Sequence, residues 1–183
     1  MMSANFISYS TKNKKTVKVR EVTILDAERM LLAGTKALKD APYMLSTAEE
    51  LQKLTVEDMK KLLKTYDQNE NNVQFVAEVD GELVGAIEFK SGDKEKISHQ
   101  GSFAMTVLPE YRNYGIGRAL LTTLINWAKN NTRVEKVCLE VMEGNIAAIN
   151  LYKTMGFVEE GRKTKGVKLE DCYQDLILMA IFV

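Results

Sequence analysis

The stretch that narrows the fold most is VQFVAEVDGELVGAIEFK, residues 73–90. Two alternating runs meet at Asp80-Gly81. A two-residue turn of that kind needs positive φ, which Asp and Gly tolerate, so the segment predicts a β-hairpin. Alternation returns in VKVREV (17–22), in ISHQGSFAMTVLP, closed by Pro109, and in VEKVCLEV (134–141). FVEEGRK and DCYQDLILMAIFV finish the chain as strands. Between these lie segments with helical periodicity: AERMLLAGTKAL, then STAEELQKLTVEDMKKLLKTYD, RALLTTLINWAKNN and GNIAAINLYKTMG. Ser46 with Glu49, and Thr47 with Glu50, have capping-box spacing. Gly156 is placed to end the last of these helices.

Hairpins beside strand–helix–strand units predict an α/β fold, a mixed α+β sheet in one domain. The expected order is β-α-α-β-β-β-α-β-α-β-β over residues 16–183. Residues 1–15, polar and lysine-bearing, read as a flexible N-terminal arm. The apolar LILMAIFV end is expected in a central or covered strand.

Charge excludes one class of partner. With 25 basic and 25 acidic side chains, net charge zero and a pI near 6.6, the chain lacks the basic excess of a polyanion binder. No nucleic acid is expected as partner. Cys138 and Cys172 show neither metal-site nor redox spacing, and no metal is expected. The N-terminus lacks the apolar core of a secretory signal, and no run approaches the roughly 20 apolar residues that span a bilayer. The expectation is a cytoplasmic protein with no membrane partner. Exposed edge strands admit a homodimer.

The chemistry begins at YRNYGIGRALL, where two glycines flank one isoleucine at a helix start. A helix N-terminus presents unpaired N–H groups and partial positive charge, and glycine lets a phosphate approach the backbone. Arg112 and Arg118 stand as charge partners. The same pattern also suits a plain helix start with turn glycines. The dinucleotide fingerprint is excluded because position 120 is Leu, and the P-loop because Arg118-Ala119 follows Gly117.

A longer pattern fits. VLPEYRNYGIGRALL resembles the cofactor-binding motif of the GCN5-related N-acetyltransferase superfamily, Arg/Gln-x-x-Gly-x-Gly/Ala after a strand and a proline. LEVMEGNIAAINLYKTMGFVEEG resembles the family's second block, with Asn145, Ala148, Leu151, Tyr152, Gly156 and Phe157 in place. The resemblance implies acetyl-coenzyme A as co-substrate and transfer of its acetyl group to a primary amine by direct attack on the thioester. The amine would belong to a small molecule or to a peptide or protein N-terminus. A non-catalytic acyl-coenzyme A sensor is the alternative.

By the same resemblance, backbone groups of Met105 and Val107 would pair with the pantetheine arm, and the Val107 N–H would polarise the thioester carbonyl. Arg112, Asn113, Gly115, Ile116, Gly117 and Arg118 would hold the pyrophosphate. Asn145 would bond the pantetheine or a linking water, Ala148 and Tyr152 would also contact the cofactor, and Tyr152 would protonate the departing sulfur. Glu140, twelve residues before Tyr152, matches a glutamate proposed as base in enzymes that acetylate protein N-termini. His99, the sole histidine, offers an imidazole as an alternative base, and a water chain would also serve. For the acceptor the resemblance points to the first helices and the last hairpin. Tyr43, Met44 and Ser46 stand there with Glu170, Asp171, Tyr173 and Asp175, and His99 and Glu140 join them as acceptor contacts.

Overall fold

The computed structural model describes residues 6–10 and 15–183. The elements run β1 (Phe6–Ser10), β2 (Thr16–Glu21), α1 (Ala27–Lys39), α2 (Ala48–Gln52), α3 (Val56–Asp67), β3 (Val73–Val79) and β4 (Glu82–Ser91). They continue with β5 (Gln100–Val107), α4 (Ile116–Asn130), β6 (Lys136–Met142), α5 (Ile146–Thr154), β7 (Val158–Lys168) and β8 (Tyr173–Phe182). One sheet takes all the described strands in the order β1-β2-β3-β4-β5-β6-β8-β7. The fold is therefore the mixed α+β sheet the alternation predicts, and β8 lies inside it.

The N-terminal expectation needs correction. Residues 6–10 pair antiparallel with β2, from Phe6↔Arg20 to Ser10↔Thr16. FISYS offers enough alternation to cover the open edge of β2, and Tyr9 Oη lies 3.0 Å from Thr123 Oγ1 on α4. The rest of the expected arm, 1–5 and 11–14, lies outside the described residues.

The hairpin at Asp80-Gly81 has both central residues at positive φ, 51° and 83°. Helix α2 starts at Thr47, whose N–H donates to Glu50 Oε2 (2.9 Å) while the Glu50 N–H donates to Thr47 Oγ1 (3.2 Å). Of the two candidate boxes, Thr47–Glu50 is the one used. A second box, Thr55 with Asp58, starts α3 and separates it from α2.

Helices cover both faces. Ile116, Leu120, Leu121 and Leu124 of α4 are buried with Phe75, Ala77, Ile87 and Phe89 on one face of the sheet. Met30 of α1 and Met59 and Leu63 of α3 pack with Val76 and Leu83 on the other. That is why β3 is buried nearly throughout instead of alternating. Each such aliphatic side chain contributes about 1.5–3 kcal/mol by leaving water.

One charged network crosses this second face. Arg20 Nη2 lies 2.8 Å from both Asp26 Oδ1 and Glu78 Oε1, and Arg29 Nη1 lies 2.9 Å from the same Glu78 oxygen. Burial disfavours the Asp26 charge, but Arg20 and the Thr23 N–H and hydroxyl outweigh it and bring the carboxyl down to about 2. A depressed folded-state pKa stabilises above the ordinary value of 3.8 and loses that contribution as pH falls towards 2. Urea unfolding between pH 5 and pH 2 is expected to show a loss of roughly 2 kcal/mol from this site. Asp26→Ala should cost about 3 kcal/mol at pH 7, because Arg20 is left with only Glu78, and should flatten that acid limb.

Candidate active site

The site starts where a ladder stops. β5 and β6 are the sheet's parallel neighbours, and they pair over three positions only, Gln100↔Lys136, Gly101↔Val137 and Ser102↔Cys138. Beyond them β5 runs on to Val107 and β6 to Met142 with no pairing, so the sheet opens into a gap. Backbone direction along β5 follows from its flanking bonds. The Gln100 carbonyl accepts from Gly92 N–H on the β4 side, and the Leu108 N–H donates to Val84 of β4 (both 2.9 Å). The His99 carbonyl faces β6, accepting from the Lys136 N–H (3.1 Å). Alternation then turns the backbone groups of Phe103, Met105 and Val107 towards the gap. The Val107 carbonyl accepts from Arg112 Nε (3.2 Å). The Met105 N–H and carbonyl and the Val107 N–H are left as a strand edge on which an extended amide chain can pair.

The glycine loop stands at the mouth of this gap. Gly115, with φ 92°, is the N-cap of α4, and Asn113 precedes it with φ 66°. A Cβ at Gly115 would meet nothing within 4 Å, so this backbone faces open space. A Cβ at Gly117 would lie 3.4 Å from both Met105 Cε and Leu151 Cδ2, which puts the first turn of α4 against β5 and α5. The first amides of a 15-residue helix thus point out beside the unpaired edge of β5. This cradle, open and electropositive, fits a pyrophosphate.

Both loop arginines are engaged with the protein itself. Arg112 Nη1 donates to the Asp40 carbonyl (2.9 Å) and Nη2 to that of Ala37 (3.5 Å), at the end of α1. Arg118 Nη2 donates to Thr154 Oγ1 (3.0 Å) and Nη1 to Met155 Sδ (3.2 Å), at the end of α5. In this geometry they brace the loop between two helix C-termini, where positive charge is favoured. The backbone amides remain as the element open to a phosphate.

Helix α5 supplies the buried groups. Asn145 is its N-cap, and Oδ1 accepts from the Ala148 N–H (3.3 Å). Tyr152 is 8 % exposed and meets Phe103 edge-on at 5.6 Å between ring centres, with Phe157 at 5.9 Å. Phe103 is the first residue of β5 without a partner on β6, so the phenol stands where that ladder ends. Burial pushes the Tyr152 pKa up to about 12, which keeps Oη protonated.

The profile of the Acetyltransferase (GNAT) family matches residues 40–157. The chain belongs to the GNAT family. Over 159 residues it is 33% identical to an N-alpha-acetyltransferase of Sulfurisphaera tokodaii, covering 81% of this chain and 84% of that one. Over 107 residues it is 33% identical to the L-amino acid N-acetyltransferase AaaT of Escherichia coli, covering 58% of this chain and 66% of that one. A crystal structure of a GNAT acetyltransferase from Streptococcus pneumoniae superposes with a TM-score of 0.87 at 24% identity, over 91% of this chain and 99% of that one. The protein is an acetyl-coenzyme A-dependent N-acetyltransferase, and acetyl-coenzyme A is its co-substrate.

The remaining candidates divide around the GNAT gap. Glu140 flanks it on β6 and is ion-paired with Lys163 (2.5 Å). His99 is not brought to it. It precedes β5 at the closed end of the ladder, and four residues of strand, about 13 Å, separate it from Phe103. Tyr43 reaches across from the α1–α2 loop: a Cβ at Gly144 would come within 2.9 Å of its Cε1, so glycine there admits the ring. Ser46 and Met44 line a cavity of about 320 Å³ beneath α1–α3. Tyr173 lies on the β7–β8 hairpin, half exposed, with Lys165 Nζ 5.2 Å from its ring centre, and it does not line that cavity. Asp175 is held by Arg162 (3.1 Å).

Sequence reasoning missed Gln74, Glu88 and Tyr66. Gln74 and Glu88 line the cavity, and Tyr66 Oη donates to Glu88 Oε2 (2.6 Å). The available signal was a polar residue at an inward position of an apolar strand, as in Val73-Gln74-Phe75-Val76.

Gly115→Val should raise the Kd for coenzyme A about tenfold or more, since a β-branched residue at φ 92° costs roughly 1–2 kcal/mol and crowds the cradle. Isothermal titration calorimetry checks this, with Tyr152→Phe expected to bind as the wild type does.

Proposed function

We propose that the protein acetylates the primary amine of a small molecule or of a peptide or protein N-terminus, by direct attack on the thioester within the β5–β6 gap. The observation that carries this is the alignment of three features along one line: the α4 amides, the unpaired edge of β5, and a buried phenol at the end of the ladder. When bound, acetyl-coenzyme A supplies the activated acetyl group. In our reading the amides of residues 113–118 hold the pyrophosphate. Met105 and Val107 pair through their backbones with the pantetheine, and the Val107 N–H polarises the carbonyl. Asn145, whose Oδ1 caps α5, sets the helix start beside the pantetheine together with Ala148. Tyr152 Oη donates a proton to the departing sulfur. Its raised pKa suits a group that must stay protonated at neutral pH.

The names of the two relatives support an amine acceptor carried on an amino acid or a polypeptide N-terminus. We place the reaction in the cytoplasm. Among the described residues no helix is long and apolar enough to cross a membrane, and Cys138 and Cys172 are free thiols. We also propose a homodimer formed along the exposed outer edge of β7, which light scattering tests.

Tyr152→Phe is expected to lower kcat by about 100-fold in thiol-release assays while coenzyme A affinity is unchanged. With a Tyr152 pKa near 12, the wild-type kcat should show no basic fall-off from this group below about pH 11. An unaltered kcat in the variant would remove Tyr152 from the chemistry.

A further inference from the structure

The cavity beneath α1–α3 is the least explained feature of the molecule. Its volume, about 320 Å³, is at the lower end for small-molecule sites. Its wall is apolar and adaptable, with Met30, Met44, Met59, Leu51 and Leu62. It reaches β5 at Ala104, Met105 and Thr106, so it abuts the strand that borders the gap. Among the described residues Glu88 is the only charged side chain lining it.

Four polar side chains stand in this wall, Ser46, Gln74, Glu88 and Thr106, and two of them carry the argument, Gln74 and Glu88. Gln74 is 5 % exposed, and its Oε1 is buried with no hydrogen-bond partner among the described residues. A buried acceptor left alone costs about 1–3 kcal/mol, so a donor is expected there. Gln74 pairs with Glu88 across β3–β4, and Glu88 pairs with Ala104 across β4–β5. The three positions form a row perpendicular to the strands that ends at the gap. Tyr66 fixes the Glu88 carboxylate by donating to Oε2, which leaves Oε1 available. An ammonium, with three donors, matches one free carboxylate oxygen and one orphan amide oxygen.

We propose that the acceptor is the α-amino group of a peptide or amino acid amide whose first side chain is apolar, seated with that side chain in the methionine-lined cavity and its ammonium on Glu88 and Gln74. This rests on the acetyl-transfer reading above. A polyamine does not fit, because one carboxylate cannot match several charges in an apolar wall. A free amino acid fits poorly, because its own carboxylate would lie near Glu88 with no cation among the described lining residues to meet it.

The step balances. The ammonium gives one proton to Glu88. The amine nitrogen then forms the C–N bond to the acetyl carbon as the C–S bond breaks. Sulfur leaves with the bonding pair and takes a proton from Tyr152 Oη, and the second proton of the nitrogen restores Tyr152. One proton is released overall, from Glu88 to solvent.

Thiol release with acetyl-coenzyme A tests this on the full chain with L-methioninamide, L-methionine and spermidine. The expected result is a kcat/KM for methioninamide at least tenfold above either of the others. Gln74→Leu should raise the KM for methioninamide at least tenfold with little change in kcat, while coenzyme A binding holds and Tm stays level or rises. A purely structural glutamine would lower Tm and leave KM alone. Preference for spermidine or free methionine would overturn the inference and leave the acetyltransferase standing. An unchanged KM in Gln74→Leu would also overturn it, assigning Oε1 to an ordered water. No release with any amine, despite bound acetyl-coenzyme A, would overturn the enzymatic reading and this inference with it.

Discussion

The molecule depends on a pairing that is cut short. β5 and β6 hold three rungs of parallel ladder and then part. The parting is held by aromatic packing: Phe103, at the first unpaired position, meets Tyr152 and Phe157 edge-on at 5.6 and 5.8 Å. Such pairs add about 0.5–1.5 kcal/mol each beyond the area they bury. A strand edge in mid-sheet would ordinarily invite another strand. Here it faces a gap lined by one buried phenol and bounded by a helix N-terminus, the gap in which the proposed reaction is placed.

Around the gap, charge is arranged by bracing. Arg112 and Arg118 each tie the glycine loop to a helix C-terminus. Rigid loop amides then face the open space at Gly115. In the cavity beneath α1–α3 the polar groups are few and set in apolar surroundings. Glu88 is fixed by Tyr66, and burial together with Glu88 pushes the Tyr66 pKa well above the usual phenol range. In the reading proposed above, coenzyme A pairs with the backbone edge of β5 and the acceptor meets side chains one and two strands away.

Much of the fold was legible because it rests on local rules. Positive φ at Asp80-Gly81, the Thr47–Glu50 box and the N-cap glycine of α4 are written in short spans of sequence. The glycine loop and the Asn145-to-Phe157 block were also legible, since both are contiguous. What stayed hidden involves distant partners. Phe6–Ser10 becomes a strand only because β2 offers an edge. His99, chemically suited to act as a base, lies at the closed end of the ladder, a fact that depends on the register of β5 with β6.

The sequence by itself determined the order of elements, the mixed sheet, the cradle at Gly115 and the phenol at position 152. The order of elements and the sheet follow from periodicity and spacing, which act over a few residues, and the cradle and the phenol from the resemblance of two contiguous motifs to the family's own. Tertiary structure alone decided where the ladder ends, which face each arginine braces, and that Gln74, Glu88 and Ala104 form one row across three strands. Residues 14 and 16 positions apart become neighbours only through strand register, and hydrogen-bond satisfaction in a low-dielectric interior then determines what they can bind.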